Sequence, residues 1–281
     1  MTQDAREREN AKVQAIADAY NAREGMLNVD HYDINGNMVR GDGIDCPLCL
    51  NKGSTYIVLL DADGKAQTFY KTCECMNRRM SMRWIRESGM EKAVKRYTFA
   101  AFEVNEDWQR QMKDTAMSYL KDGVKDGAWL YIGGQSGAGK TMICTAVAGT
   151  MLRKMAVRYM AWQHESQKIK AVANDAEAYT ELVRPLQEAE ALYIDDFMKP
   201  TRDRNGMDGG TTAADIRLAF DILNARYLND MPTIISSEWF SNELAALDEA
   251  IAGRIVESCG DYLVDIGRDT KRNWRLKGNL I

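Results

Sequence analysis

Gly134-Gln135-Ser136-Gly137-Ala138-Gly139-Lys140-Thr141 is the stretch from which the rest of the chain can be read. It spells G-x-x-x-x-G-K-T, the phosphate-binding P-loop pattern. Ahead of it, Ala128-Trp129-Leu130-Tyr131-Ile132 is a short apolar run that fits a buried strand. Behind it, Thr141 to Leu152 is rich in Ala, Met, Ile and Val and fits a helix. Strand, glycine loop and helix is the context in which the pattern works. Glycines let backbone N–H groups close on phosphate oxygens, and the helix N-terminus adds a favourable dipole. Lys140 can reach the β- and γ-phosphates of ATP, or the β-phosphate of ADP, and the Thr141 hydroxyl can ligate Mg²⁺. All eight residues are therefore candidate nucleotide ligands.

Downstream, Val157 to Ala161 reads as a second strand, and Gln167 to Glu190 as mostly helical, broken or offset near Pro185. Ala191-Leu192-Tyr193-Ile194-Asp195-Asp196-Phe197 is a hydrophobic strand ending in two carboxylates. This is a Walker B pattern: Asp195 stands where a carboxylate must hold the Mg²⁺ shell, and Asp196 where a base would orient an attacking water. Residues 199–212 form a glycine-rich polar loop carrying Arg202 and Arg204, followed by a helix from Ala213 to Leu228. Thr233 to Ser237 is a fourth strand with polar residues at its C-terminal end, which in a parallel sheet faces the ligand crevice. Ser237 has two readings there, a γ-phosphate or water sensor and a hydroxyl that caps the next turn. A short helix over Ala250–Cys259 carries Arg254, Tyr262–Ile266 is the fifth strand, and a basic tail (Arg268, Lys271, Arg272, Arg275, Lys277) follows.

Upstream, residues 2–25 are charged and Ala-rich with a narrow apolar stripe at Val13, Ile16, Ala17 and Tyr20. The stripe fits either a docked helix or a solvated one. Residues 26–45 read as loop. Cys46-Pro47-Leu48-Cys49 precedes a hairpin (Tyr56–Leu60, Asp61-Ala62-Asp63-Gly64, Gln67–Lys71) that leads into Cys73-Glu74-Cys75. Two close cysteine pairs joined by a hairpin make a zinc-ribbon layout. Four thiolates complete a closed tetrahedral shell, which marks a structural zinc; a small cluster of free thiols is the other reading. From Lys71 to Arg96 the chain is basic, and Arg79, Arg83 and Arg86 share one helical face near Trp84. That face fits nucleic acid, an acidic protein surface, or solvent. An aromatic linker, Tyr97–Phe102, and an amphipathic helix from about Asp107 to Lys121 lead back to the P-loop strand. The expected domain boundary lies near residue 97.

With 281 residues, 45% hydrophobic and 28% charged, the composition is that of a globular protein with a sizeable core. No apolar run approaches the roughly 18 residues of a membrane span, and the N-terminus lacks a signal-peptide pattern, so a cytoplasmic location is expected. A net charge of −4 gives no global case for nucleic-acid binding, which must rest on local patches. Six cysteines in such a chain suggest metal or buried thiols, and Cys144 and Cys259, standing alone, read as small apolar side chains.

Five strands, a P-loop after the first and paired carboxylates after the third describe a P-loop α/β ATPase with a parallel sheet. Gly134–Thr141, Tyr193–Phe197, Asn224-Ala225-Arg226-Tyr227 leading into Pro232–Ser237, and Gly253-Arg254-Ile255 together resemble an AAA+ ATPase of the DnaC/DnaI helicase-loader type. The Cys46–Cys75 cluster followed by Tyr97-Thr98-Phe99 looks like the zinc-bearing front end of the DnaI-like and phage versions. The resemblance covers about residues 46–277. It implies an AAA+ core at 97–281 without a C-terminal lid domain. It also implies a helicase-gripping region at 1–96 holding the zinc-ribbon-like module at 46–75, and a core that binds single-stranded DNA. It implies that Arg254 is an arginine finger acting on the ATP of a neighbouring subunit, in a homo-oligomer built through ATP interfaces; from the residues alone a surface helix salt bridge is as good a reading. Asp196 in place of the more usual Glu, and Ser237 in place of a sensor Asn, point to slow hydrolysis and a switch. The rival functions are an IstB-type transposition helper, which shares the core, and a nucleotide-dependent DNA-binding adaptor with negligible hydrolysis.

Overall fold

The computed structural model describes residues 3–87, 89–199 and 210–275, so the Arg202/Arg204 loop and Lys277 lie outside the described residues. The chain divides into two compact units, Met1–Met82 and Arg83–Ile281.

In the first unit, α1 (Gln3–Asn21) lies on the antiparallel hairpin of β3 (Ser54–Leu60) and β4 (Ala66–Thr72). The docked reading of the N-terminal helix is the one observed. Ala17 is buried, and the Tyr20 ring meets Tyr56 edge-on at 4.6 Å while its hydroxyl lies 2.9 Å from Ser54 Oγ. Asn10 and Asn21 pin the helix further, bonding the backbone at Gly64 and Ala66 and at Tyr56. Ile16 stays exposed. The stretch read as loop contains a small second hairpin, β1 (His31–Tyr32) and β2 (Met38–Val39). Asp33 closes it by accepting from the backbone N–H groups of Asn35 and Asn37. Helix α2 (Cys75–Glu87) begins at the last clustered cysteine.

The second unit is a three-layer α/β sandwich. After α3 (Glu91–Arg96) and α4 (Asp107–Lys121), the chain alternates β5 (Trp129–Gly134), α5 (Lys140–Met151), β6 (Val157–Ala161), α6 (Trp162–Ala171), α7 (Ala176–Gln187), β7 (Ala191–Phe197), α8 (Ala213–Leu228), β8 (Thr233–Ser237), α9 (Ser241–Leu247), α10 (Glu249–Cys259) and β9 (Leu263–Ile266). The five strands are parallel in the order β6-β7-β8-β5-β9. All five fall where the apolar runs placed them, because a parallel sheet covered on both faces is apolar throughout.

Strand residues point alternately to the two faces. Trp129, Tyr131, Met160, Leu192, Ile194 and Ile235 join the core shared with α6, α7, α8 and α10. Their neighbours Leu130, Ile132, Tyr159, Tyr193, Asp195 and Ser236 therefore lie on the opposite face, which α4 and α5 cover.

The helical segment after β6 differs from expectation. The break lies at residues 172–175, ahead of Pro185, because Asp175 caps α7 by accepting from Ala178 N at 3.0 Å. Pro185 sits inside the last turns of α7 without ending it.

Candidate functional site

The P-loop leaves β5 at Gly134 and enters α5 at Lys140. Gly137 and Gly139 have φ of +75° and +90°, a backbone region costly for residues with a Cβ. At Gly137 a Cβ would also stand 2.0 Å from Asn273 Oδ1, so that side chain would have to move. Lys140 is buried and donates to the carbonyls of Gly134 and Gln135, both at 2.8 Å. Burial brings its ammonium down to about 8, against the opposing pull of Glu238 and Asp196.

The two acidic positions differ in environment. Asp195 is buried on the α5 face and accepts from Thr141 Oγ1 at 2.9 Å, so the P-loop and the paired carboxylates meet as the motifs require. It also accepts from Tyr193 (2.9 Å), Tyr159 (3.2 Å) and, at close range, Ser236. Burial, and after it the Asp195 charge, pushes both phenols well above their ordinary range. Asp196 lies at an irregularity in the β7–β8 ladder with φ of +54°, a rare conformation for a non-glycine residue. The turn aims it into the cleft, where it pairs with Lys199 at 3.0 Å.

Ser136, Gly137, Gly139, Lys140, Thr141, Asp196, Lys199 and Glu238 line one cleft of about 290 Å³, together with Arg96, Tyr97 and residues 274–275. The donor set fits a magnesium nucleotide. A lysine and open backbone N–H groups suit phosphate, and a hydroxyl and a carboxylate in mutual contact are hard oxygen ligands.

Two expected site residues lie elsewhere. Ser237 points away from α5, as its place one after Ser236 dictates; its buried hydroxyl donates to Phe197 O at 2.9 Å and accepts from Trp239 N at 3.1 Å. It staples two strand ends, and the side chain that enters the cleft from this strand end is Glu238. Glu238 pairs with Lys199 at 3.0 Å. Burial alone would raise its pKa, but Lys199, Ser136 and Lys140 hold it below the ordinary carboxylate range. Sequence parity could have found it: with Ser236 on the α5 face, Ser237 cannot share that face, and the next residue can. Arg254, on α10, does not line the cleft. Its guanidinium lies over the Phe220 and Tyr227 rings at 4.7 and 5.5 Å, and bonds Asn224 Oδ1 and Ala250 O.

In the first unit the four cysteine sulfurs lie within 4.8 Å of one another. Cys46 and Cys73 are 3.8 Å apart, and Cys49 and Cys75 are 3.5 Å apart. A tetrahedral shell with zinc–sulfur bonds of about 2.3 Å sets sulfurs about 3.8 Å apart, so the set is compatible with zinc. Leu50 and Asn51 take positive φ to form the knuckle, and Gly53 N donates to Cys49 Sγ at 3.3 Å. Burial would raise the Cys46 thiol, but the N–H groups of Cys49 and Leu48 bring it to about 7. Arg79 is not on an open basic face. It is buried, bonding Ile44 O (2.7 Å), Asn51 Oδ1 (2.8 Å) and Asp42, and so braces this knuckle. Arg83 and Arg86 remain exposed.

No family model matches the chain. Two relatives from Bacillus subtilis (strain 168) are each 31% identical to it. The uncharacterized protein YqaM matches over 72% of this chain and 65% of its own length, and the phage-like element PBSX protein XkdC over 83% and 87%. Among solved structures, the DnaC helicase loader aligns at TM-score 0.51 with 19% identity, over 62% of this chain and 99% of its own. DnaI aligns at 0.50 with 18% identity, over 63% and 94%. A DNA replication initiation factor aligns at 0.50 with 20% identity, over 66% of this chain and 54% of its own. These likenesses show the α/β fold to be one shared with the DnaC helicase loader and DnaI. No helix among the described residues is long and apolar enough to cross a membrane. By its identity and its span along a full-length relative, the chain belongs to the family of the phage-like element PBSX protein XkdC.

Proposed function

We propose that this protein is an ATP-regulated loader of a hexameric replicative DNA helicase. The observation that carries the reading is the Thr141–Asp195 contact beside Lys140, which joins the P-loop to the paired carboxylates in one cleft on a loader fold. In this reading Gly134–Thr141 wrap the phosphates of ATP or ADP. Thr141 and Asp195 hold Mg²⁺, which supplies charge neutralisation on the phosphates when bound. Lys140 exchanges its two carbonyl partners for phosphate oxygens. Asp196 accepts the proton of the attacking water, and Glu238 with Lys199 flanks that position. Catalysis is positional and electrostatic, and turnover is slow, as suits a switch.

Arg254 lies outside its own chain's cleft and half-exposed, which supports a role on the nucleotide of a neighbouring copy in a homo-oligomer. Ser237 serves the site through the backbone it staples. Residues 1–96 form the helicase-binding region, with zinc on Cys46, Cys49, Cys73 and Cys75 as its structural core, and the AAA+ domain occupies 97–281. Single-stranded DNA binds the core, and its candidate contacts are the Arg202/Arg204 loop and the basic stretches at 78–96, just ahead of the core, and 268–277, in which Arg78, Arg83, Arg86, Lys92, Lys95, Arg96, Arg268, Lys271 and Arg275 are exposed.

The test is native mass spectrometry of the full chain mixed with the replicative helicase of its host, with and without ATP and Mg²⁺. A complex that survives Arg254→Ala and is lost on deleting residues 1–96 supports the loader and this division of roles. Nucleotide binding without any helicase complex would move the function to a transposition helper or a DNA adaptor.

A further inference from the structure

We infer that Tyr159 and Tyr193 are positioning residues for Asp195, setting how tightly the site holds a divalent cation on bound nucleotide. The inference rests on the magnesium-nucleotide reading of the cleft.

Asp195 Oδ1 accepts from Thr141, Tyr193 and Ser236, and Oδ2 accepts from Tyr159. Each carboxylate oxygen offers about two lone-pair sites, so Oδ1 is crowded by its three donors while Oδ2 keeps a site open. One of the four donors is itself a candidate metal ligand, Thr141. When Thr141 turns to a cation, the other three donors keep their bonds, because they stand on packed strands rather than on the P-loop.

Each comes from a different strand and reaches Asp195 by the same route. Tyr159 on β6 is in register with Tyr193 on β7, and Ser236 on β8 follows Ile235, which is paired with Ile194. Strand alternation then places all three on the face where Asp195 lies. The Tyr159 and Tyr193 rings pack edge to face at 5.2 Å, which fixes both hydroxyls. The Tyr193 hydroxyl is also 3.4 Å from Thr141 O, at the start of α5. Phenylalanine would fill the layer between sheet and helix as well as tyrosine. What the hydroxyls add is a fixed direction for the carboxylate, the outer-shell role that orients metal ligands.

The experiment uses the full chain as wild type, Tyr159→Phe, Tyr193→Phe and the double variant, with mant-ADP as probe. Affinity for mant-ADP in EDTA is measured first. Mg²⁺ is then titrated at saturating mant-ADP, and Mn²⁺ binding is followed in parallel by electron paramagnetic resonance. The expected result is metal-free ADP affinity within about twofold of wild type and apparent Mg²⁺ affinity lower by about 10–100-fold in the double variant. Tyr179→Phe, which removes a phenol bonded to Asp221 at 2.6 Å, is the control and is expected to leave both unchanged. Wild-type Mg²⁺ affinity in both single variants and in the double variant would overturn the inference and leave the tyrosines as packing. Should the double variant not fold, the single variants decide the question alone. A wild-type chain that binds no mant-ADP would overturn the nucleotide reading itself, and this inference with it.

Discussion

Lys199 Nζ lies 3.0 Å from Asp196 Oδ2 and, on its other side, 3.0 Å from Glu238 Oε1. One ammonium thus stands between two carboxylates on the wall that faces the P-loop. Burial alone would lower the Lys199 pKa, yet the two carboxylates raise it above the ordinary value. Without this cation, two negative groups would face an incoming triphosphate. Lys199→Met is therefore expected to weaken ATP binding about tenfold, since a like charge moved this close to phosphate acts at low screening. Adding Glu238→Gln should recover most of the loss. Titration calorimetry with a non-hydrolysable ATP analogue reads both, and a double variant no tighter than Lys199→Met alone would show that the loss was not electrostatic.

Asp196 reaches the cleft only because its backbone adopts a positive φ at the irregular end of β7. Such a conformation is held by its surroundings, and here Ser236 Oγ accepts from Asp196 N at 3.1 Å. Asp196→Asn keeps the shape and removes the base. Single-turnover hydrolysis should fall by roughly 10²–10⁴ while ATP affinity stays within a few-fold. Undiminished turnover would transfer the role to Glu238.

A Cβ at Gly137 would meet the Asn273 side chain, which would have to move to admit it. Gly137→Ala adds a clash to an unfavourable φ, and both fall on the loop proposed to wrap phosphate. Nucleotide binding should be abolished with little change in the circular dichroism of the chain, because the strand and the helix on either side do not depend on the loop's shape. An Asn273→Ala second change, which removes the clashing atoms, should restore only part of the binding, since the backbone strain remains.

The fold was legible because apolar runs and breakers mark a buried parallel sheet strongly, and the candidate cleft because a P-loop and paired carboxylates have fixed places on such a sheet. What was not legible depends on side-chain direction. Ser237 and Glu238 are adjacent polar residues at a strand end, and only the face taken by Ser236 tells which of them meets the cleft. Arg79, Arg83 and Arg86 share a helical face by spacing, but Arg79 is buried against Asp42, Ile44 and Asn51, partners far away in the chain. The break assigned near Pro185 falls at 172–175 because Asp175 caps the N–H groups that start α7, while Pro185 removes one N–H donor two residues before that helix ends.

Arg226 makes the same point for stability. In the sequence it stands out only as part of Asn-Ala-Arg-Tyr, yet it is fully buried with no acidic partner among the described residues. Its guanidinium donates to the carbonyls of Leu186, Gln187, Ala189 and Pro232 and to Thr233 Oγ1, tying the end of α7 to the start of β8. Burial brings its pKa down to about 9. Arg226→Met leaves those carbonyls without donors, at about 1–3 kcal/mol for each group left unsatisfied. Relaxation recovers part of this, and a net loss of about 3–5 kcal/mol is expected, a fall in Tm of about 10 °C. A Tm within two or three degrees of wild type, measured by scanning calorimetry, would mean that water takes over the carbonyls.

The cysteine cluster allows a prediction that separates the two units. The first unit has two small two-stranded hairpins, a helix docked on one of them and the start of α2 beside the four thiols, a small core for its length. Units with so little apolar core often depend on a metal or another cross-link to stay folded. The protein is expected to carry one zinc per chain by elemental analysis. Cys49→Ser should lose it, because Cys49 is fully buried within the set and a hydroxyl is a poor replacement for a thiolate. Hydrogen exchange in the variant should then accelerate at residues 54–72, where the hairpin loses its anchor, while the protection of β5, β7 and β8 and the affinity for mant-ADP remain. Full zinc content in Cys49→Ser, or a hairpin as protected as before, would show that the thiols pack as a small apolar cluster and that the first unit folds without metal.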